Sequence, residues 1–301
     1  MIVKEQPSAV KLFVTMQGSI VPQVLSKILG VALISIFVLV IDSFFVVLPH
    51  ISISAMGIFG VALSLFLGFR NNAAYDRWWE ARKLWGGMIA DARTLGRDAR
   101  LFFPTDATRR SFMEMVPVFA HFHRGYLRNT KASATVLVFA SEQKAQTLAA
   151  YANPAEAALR DMADQLADLT KKDSISGFCQ LRMSQSLSSL ALAQAGCERI
   201  ASTPLPFVYS LLVRQTTYLY CWLLPFALID STSLFTPLFA AIVAYVFFGL
   251  QAVTNELEAP FANAQNGLPL DAMCRTIEIS VAEALGDPAP KPLKPQNFIL
   301  S

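Results

Sequence analysis

The sequence predicts an all-α integral membrane protein, and three observations support this fold class. Of the 301 residues, 54% are hydrophobic and only 16% are charged, whereas a typical soluble domain is about 25% charged. Four apolar segments approach or exceed the length of a membrane crossing. No stretch shows the alternation of apolar and polar residues that is typical of a half-buried strand. We therefore predict four transmembrane helices, with a helical cytoplasmic domain inserted between the second and the third.

The first two predicted membrane helices lie within residues 25–70. Residues 25–48 form an apolar segment long enough to cross a hydrocarbon core of roughly 30 Å at about 1.5 Å per helical residue. Residues 49–53 predict a short turn, and residues 54–69 form the second apolar segment. Before them, residues 1–24 mix apolar and basic side chains, as Val10, Lys11 and Leu12 do, which predicts a cytoplasmic or interfacial segment.

Charged residues occur throughout residues 71–206, which predicts the cytoplasmic helical domain. Residues 107–129 carry apolar side chains at helical spacing. Asn153 followed by Pro154 is typical of a helix start, with an N-cap and then proline in the first turn. Residues 174–200 predict a further helix before the chain returns to the membrane.

The last two predicted membrane helices lie within residues 207–254, joined by a tight turn at residues 230–233. Pro225 is expected to kink the third of the four helices, which neighbouring helices can tolerate. Arg214 lies about two turns into that helix, where a charge is costly and is usually paired. We expect it either to extend to the membrane surface or to pair with Glu256 or Glu258.

The C-terminal part, residues 255–301, is predicted to hold a cytoplasmic helix at 268–285 and an extended, proline-rich tail. The two short turns contain no Lys or Arg, so the positive-inside rule places them outside and both termini in the cytoplasm. Residues 1–27 lack an apolar core of the usual 7–15 residues ending in a small-residue cleavage site, so we predict no cleavable signal peptide. The four cysteines form no CxxC pair, and we expect free, buried thiols in a reducing compartment.

One stretch combines these properties, GIFGVALSLFLGFRNNAAYDRWWEARKLWGG at residues 57–87. It holds no proline up to Trp85, so a single helix can run from lipid into water. Val61, Leu65 and Phe69 are spaced i, i+4 and i+8 and therefore share one face. A ring of such apolar faces can gate ions by dewetting. The same face is equally suited to packing against lipid or other helices.

The run LGFRNNAAYDRWWEARKLWG at residues 67–86 resembles the bestrophin family, in particular its bacterial branch. TPLPFVYS at 203–210, ELEAPF at 256–261 and the four-segment layout resemble it as well. The resemblance implies a homopentameric ion channel in a lipid bilayer, here the bacterial inner membrane. It also implies a pore neck at Val61, Leu65 and Phe69, and a lower aperture at Phe178 or Cys179.

The chain departs from the eukaryotic members of this family after ELEAPF. Those members follow it with acidic residues that help to bind calcium, whereas this chain reads FANAQNGLPL, with no carboxylate between Phe261 and Leu270. Calcium takes six to eight oxygen ligands, usually with several carboxylates among them. We therefore predict a channel that calcium does not activate.

The ion preference predicted from the sequence is for monovalent cations. Asp42 lies near the outer end of the first helix and Asp230 in the outer turn, where both can concentrate cations; the same carboxylates also suit helix capping. The alternative is an anion channel of the same fold, such as a chloride channel. A secondary transporter is a further alternative, but it would be expected to show internal repeats, and Pro225 is the only hint of a broken helix.

Other function classes find no support in the sequence. A net charge of +3 is too small to indicate nucleic-acid binding. No nucleophile elbow, phosphate-binding glycine loop or pair of catalytic carboxylates is evident, so we predict neither an enzyme nor a cofactor. His121 and His123 lie two residues apart, which points them to different sides of a helix, and we predict no metal site.

Overall fold

A computed structural model describes residues 1–2, 18–131 and 133–301, with the side chain of Ser133 left out. The described residues are helical with no strand, and the only β-type pairs among them are isolated bridges in the tails. The predicted all-α class is therefore confirmed. The helices are α1 (Val21–Phe44), α2 (Ile53–Phe102), α3 (Asp106–Arg128), α4 (Ser133–Val136), α5 (Glu142–Ala149), α6 (Pro154–Lys171), α7 (Gly177–Ser202), α8 (Phe207–Thr232), α9 (Thr236–Glu258) and α10 (Leu270–Leu285).

The chain divides into two compact units. The apolar unit contains α1, residues 53–78 of α2, α8 and α9. The second, helical unit contains residues Trp79–Thr203 and Pro260–Ser301, with Met1 and Ile2. The second unit includes residues 79–203 of the predicted cytoplasmic domain, 71–206, whose location in the cytoplasm stays a prediction. Most of the predicted N-terminal segment, residues 1–24, lies outside the described residues.

Three apolar helical stretches in the described residues are long enough to cross a membrane: Val21–Phe44, part of Ile53–Phe102, and Phe207–Glu258. The third stretch comprises α8 and α9, which a short 3-10 turn at Ser233–Phe235 joins. The apolar unit is held together by a core to which all four of its helices contribute. Its members include Val31, Leu63, Leu67, Val213, Tyr220, Leu224, Ala244, Phe247 and Phe248.

The first helix begins and ends four residues before the predicted bounds of 25–48. Pro22 lies in its first turn, where a missing N–H costs nothing. After α1 ends at Phe44, the Asp42 carboxylate accepts a hydrogen bond from the Leu48 amide at 2.8 Å. This side-chain acceptor stabilises a non-helical connection where the hydropathy of the sequence still favours a helix.

The tight turn predicted at residues 230–233 is shifted in the structure. Asp230 belongs to the last turn of α8, and the chain reverses at Ser233, whose φ is 42°. The Thr236 hydroxyl donates to the Ser233 carbonyl at 2.7 Å and lies 3.0 Å from the Thr232 hydroxyl. These hydroxyls form hydrogen bonds with backbone and side-chain groups where the chain reverses. The helix α8 therefore extends beyond residue 229, where the polar residues of the sequence predicted a turn.

The long helix α2 is continuous over 50 residues, as the absence of proline predicted. In the helical unit, α2 and α3 both contribute large buried side chains, among them Trp85, Phe112, Phe119, Met88 and Met113. The predicted helix start at Asn153 is confirmed, because its side chain accepts from the Glu156 amide at 3.2 Å. The short helices α4 and α5 were not predicted, since neither has a long apolar repeat.

One loop in the helical unit depends on a glycine. Between α9 and α10, the Leu268 amide donates to the Pro260 carbonyl at 2.7 Å. A Cβ on Gly267 would lie 2.2 Å from the Ala262 carbonyl oxygen, which no side chain tolerates. The tails also pair: the Met1 ammonium donates to the Leu300 carbonyl at 2.5 Å, and the Leu300 amide donates back at 2.9 Å.

His123 is fully buried between two aromatic rings in the helical unit. Its ring stacks on Trp85 at 5.5 Å and on Phe119 at 5.9 Å between centroids. Neither ring nitrogen has a hydrogen-bond partner among the described residues. Burial alone lowers the pKa of His123 to about 3, so this side chain serves as a neutral packing element.

This burial predicts a component of acid instability. The unfolded chain binds a proton at His123 below about pH 6.5, whereas the folded chain does not until about pH 3. The contribution of His123 to the free energy of unfolding is therefore complete above the pKa of the unfolded chain. It declines as the pH falls below that value. In thermal unfolding of the detergent-solubilised protein, His123→Phe should lose less stability between pH 6.5 and 4 than the parent chain. Parallel pH profiles would contradict this role.

Candidate pore-lining face

The part of α2 in the apolar unit has two opposite faces. One face packs inward and is buried, at Met56, Leu63, Leu67, Arg70 and Ala74. The opposite face is apolar but uncovered within the protomer. It carries the three predicted neck residues, of which Val61 is 62% exposed, Leu65 57% and Phe69 65%.

Ile58 extends this uncovered face by one turn and was missed by the sequence analysis. It lies three residues before Val61, on the same side of the helix, and is 75% exposed. The spacing i, i+3, i+7 and i+11 could have identified it. We refer to Ile58, Val61, Leu65 and Phe69 together as the neck face.

The packed face is fixed by aromatic contacts from α8 and α9. Tyr220 lies against α2 so closely that a Cβ on Gly60 would be 2.7 Å from its hydroxyl. The rings of Phe59 and Tyr220 meet edge to face at 5.4 Å, and Phe247 packs on Tyr220 at 5.1 Å. Since helix rotation would break these contacts, they set the direction in which the neck face points.

A buried ion pair lies at the end of the packed face. The Arg70 side chain is 4% exposed, and its Nη2 lies 3.0 Å from Glu258 Oε2 and 3.1 Å from Asn255 Oδ1. Arg77 Nε donates to the Glu258 carbonyl oxygen at 2.9 Å. A buried cation needs such partners, because an isolated charge in an apolar interior is very costly.

This pair bears on one of the alternatives predicted for Arg214. Glu258, one of its two predicted partners, pairs with Arg70 instead, and the Arg214 side chain is exposed. Extension of Arg214 to the membrane surface stays a prediction. The sequence contained the signal, since Arg70 follows directly on an apolar run. Glu256, the other offered partner, accepts from Gln23 at 2.6 Å.

The two edges of the neck face differ in size. One edge carries small residues, namely Gly57, Ser64 and Gly68, and a Cβ on either glycine would meet nothing within 4 Å. The other edge carries Phe66, which is 50% exposed. Small residues permit close approach between helices in a membrane, so one copy of α2 presents a surface onto which the bulky edge of another copy can pack.

The predicted outer carboxylates come together at one histidine. Asp42 Oδ1 lies 3.0 Å from His50 Nε2, and Asp230 Oδ1 lies 2.7 Å from His50 Nδ1. Asp42 is largely covered, with 15% of its side chain exposed, whereas Asp230 is 64% exposed. The two carboxylates are therefore bound within the protomer rather than isolated at the surface.

The residues predicted for a lower aperture lie at the start of α7, in the helical unit. Phe178 is 87% exposed. Cys179 is only partly exposed, and both its amide and its thiol contact the Ser176 hydroxyl, at 3.3 and 3.1 Å. Of the two, Phe178 is thus the side chain free to extend outward. The other three cysteines are buried and unpaired.

Of the two histidines of α3, His121 has a carboxylate partner that the sequence analysis did not anticipate. Glu278 of α10 lies 2.8 Å from its Nε2. Sequence distance concealed this pair. Among the described residues, no group of three His, Cys, Asp or Glu side chains is arranged to hold a metal ion.

Comparisons with known proteins agree on one family. A model described as Bacterial/Fungal Bestrophin protein matches residues 1–283. The voltage-dependent anion channel-forming protein mll4386 of Mesorhizobium japonicum is 44% identical, covering 100% of this chain and 97% of the relative. Its counterpart YneE of Escherichia coli K12 is 35% identical, with coverage of 98% and 97%. The solved structure of a bacterial bestrophin homologue from Klebsiella pneumoniae matches with a TM-score of 0.83 and 32% identity, over 88% of this chain and 99% of that one.

The buried ion pair predicts a specific loss of stability. Glu258→Gln leaves the buried Arg70 cation without its anion, so we expect a destabilisation of about 3 kcal/mol, at the lower end for breaking a buried pair. The midpoint of thermal unfolding in detergent measures it. Asp168→Asn, which removes the partner of Lys171 from a pair with both side chains exposed, should change the midpoint far less. Equal effects of the two substitutions would contradict the assignment.

Proposed function

The chain belongs to the bacterial and fungal bestrophin family, and on that premise we propose that it forms an ion channel whose pore is lined by the neck face of α2. The observation that carries this proposal is the one-sided burial of α2. A helix that packs along one side and leaves an apolar stripe uncovered on the other needs a second partner for that stripe. Copies of the same helix around an axis would provide a narrow apolar passage.

A ring of subunits fits the two unlike edges of α2. An edge of small residues on one copy and Phe66 on the next form a head-to-tail contact, and such heterologous contacts give a ring when the rotation between copies closes. Five subunits is the number that the family resemblance implies. We propose a homopentamer in the bacterial inner membrane with four crossings per subunit, α1, the first half of α2, α8 and α9, and with both termini in the cytoplasm. The absence of Lys and Arg from residues 45–52 and 230–235 supports this orientation.

Phe178 is our proposed lower aperture residue. It is exposed at the N-terminal turn of α7, and the Ser176 cap fixes that turn through the Cys179 amide. A bulky ring on a capped helix start is well placed to narrow a passage. Cys179 is the weaker candidate because its thiol is already in contact with Ser176.

We propose that the channel passes monovalent anions. The curated relatives are named voltage-dependent anion channel-forming proteins, which favours this alternative over the cation preference inferred from the sequence. The binding of both outer carboxylates to His50 also weakens the case for cations, since that case needed their charges to face the ions. Cation conduction remains the second candidate, because no Lys or Arg lies among the outer residues to balance Asp42 and Asp230.

We also propose that calcium does not activate the channel. The first carboxylate after Phe261 is Asp271, and both of its oxygens are bound by guanidinium groups. Arg124 Nη1 lies 2.7 Å from Oδ1 and Arg128 Nη1 lies 2.5 Å from Oδ2. A calcium ion would have to displace two cations to gain this one carboxylate.

Substitution in the neck tests the pore assignment. Leu65→Ala should raise single-channel conductance several-fold, because a shorter side chain widens the apolar constriction and lowers its dewetting barrier. The matched control is Leu33→Ala in α1, where the side chain is 65% exposed and is assigned to the lipid. The control should conduct like the parent chain. Equal conductance of all three proteins would contradict the neck assignment.

Reversal potentials test the ion preference. In a planar bilayer with a sodium chloride gradient, we expect the reversal potential to lie close to the equilibrium potential of chloride. The same recording with and without micromolar calcium should give equal open probability. A reversal potential close to the equilibrium potential of sodium would support cation conduction instead. Strong activation by calcium would contradict the argument from Asp271.

A further inference from the structure

His50 lies in the connection between α1 and α2 and bridges carboxylates from two different helices. Its Nε2 is 3.0 Å from Asp42 Oδ1 in α1, and its Nδ1 is 2.7 Å from Asp230 Oδ1 in α8. Within the described part of the chain, these two carboxylates are the charged groups that act on the ring. The three side chains form a cluster that we call the outer cluster.

The geometry of the outer cluster favours a bound proton. The Nε2 contact with Asp42 is a hydrogen bond, and Nδ1 lies at ion-pair distance from Asp230. Neutral imidazole carries one N–H, so its second nitrogen would turn a lone pair toward an ionised carboxylate oxygen, which can only accept. The imidazolium form presents an N–H on both sides of the ring and removes that repulsion. His50 is partly exposed, with 30% of its side chain accessible, so the proton can exchange with solvent.

The surroundings of His50 act in the same direction. The hydrogen bond to Asp42 is the largest cause that raises the pKa of His50, and the charges of both carboxylates add to it. A raised pKa means that the bridge is complete at pH values below it and is lost as the pH rises through it. His50 therefore titrates above the ordinary histidine value, and histidine protonation serves as a switch in other proteins.

The cluster is coupled to the start of the pore helix. His50 precedes the first residue of α2, Ile53, by three positions. The Ile51 amide donates to the Phe226 carbonyl at 3.0 Å, and the Leu48 amide donates to the Asp42 carboxylate at 2.8 Å. Contacts from three residues of the connection, Leu48, His50 and Ile51, thus tie it to α1 and α8 directly before α2 begins.

We propose that the outer cluster is a regulatory proton-binding site, and that its proton sets the charge which ions meet on the outer side of each subunit. With the proton, one imidazolium and two carboxylates sum to a charge of −1; without it, the sum is −2. Loss of the proton adds one negative charge per subunit, which disfavours anions and favours cations. The regulatory role rests on the proposed channel function, whereas proton binding does not.

Proton binding is tested by NMR titration of the detergent-solubilised protein with ¹⁵N-labelled histidine. The chain has three histidines, and the His50 signals are those that His50→Gln removes. We expect a midpoint above the ordinary value of about 6.5. Asp230→Asn should lower that midpoint by about one unit. Asp287→Asn, which removes a carboxylate paired with Arg110 in the helical unit, should leave it unchanged. A midpoint at or below 6.5, or one that Asp230→Asn does not move, overturns the site.

Regulation is tested by recording currents at low ionic strength, where surface charges are least screened. Raising the outer pH through the NMR midpoint should lower the anion-to-cation permeability ratio by about twofold or more, because each subunit gains one negative charge. His50→Gln should remove this response, and changing the inner pH should not produce it. A raised NMR midpoint without any change in permeability overturns the regulatory role. Absence of any current contradicts both the channel and the regulation, while the NMR result still decides proton binding.

Discussion

The one-sided packing of α2 is the constraint on which the rest of the proposed pore depends. Tyr220 and the core of α8 and α9 hold Leu63 and Leu67 on one face, and the Arg70–Glu258 pair closes the same face at its end. The apolar contacts supply stabilisation, and the ion pair supplies specificity, since a rotated helix would leave a buried cation without an anion. With one face fixed, the neck face can only point away from the protomer.

This arrangement separates the parts that make a passage from the parts that choose an ion. In the proposed pore the neck face is purely apolar, so it would oppose all ions when narrow and pass them when wide enough to be wetted. Charge discrimination must therefore come from fields outside the neck. The outer cluster is one such source, and its charge depends on a proton held by His50. The names of the relatives favour anions, whereas the outer carboxylates of this chain favour cations. A titratable outer charge gives a physical reason why the ion preference can vary with pH.

The sequence predicted those features that depend on local pattern. The all-α class, the unbroken course of α2, the capped start at Asn153 and the resemblance to bestrophins are confirmed, because hydropathy, proline and motifs are written in consecutive residues. Contacts between distant residues were not predictable in this way. Arg70 with Glu258, and His121 with Glu278, join positions far apart in the chain, and Asp230 moved from a turn into a helix because threonine hydroxyls stabilise the reversal after it. Ile58 was missed although it lies on the neck face, since a strict i, i+4, i+8 pattern does not include the position three residues before Val61.

The most direct test of the central claim is an image of the detergent-solubilised particle by single-particle electron microscopy. The account predicts a closed ring of 33.0 kDa subunits with α2 nearest the symmetry axis and the Leu65 side chains facing one another across it. A monomeric particle, or a ring in which α2 lies at the periphery with Leu65 toward the detergent, would contradict it.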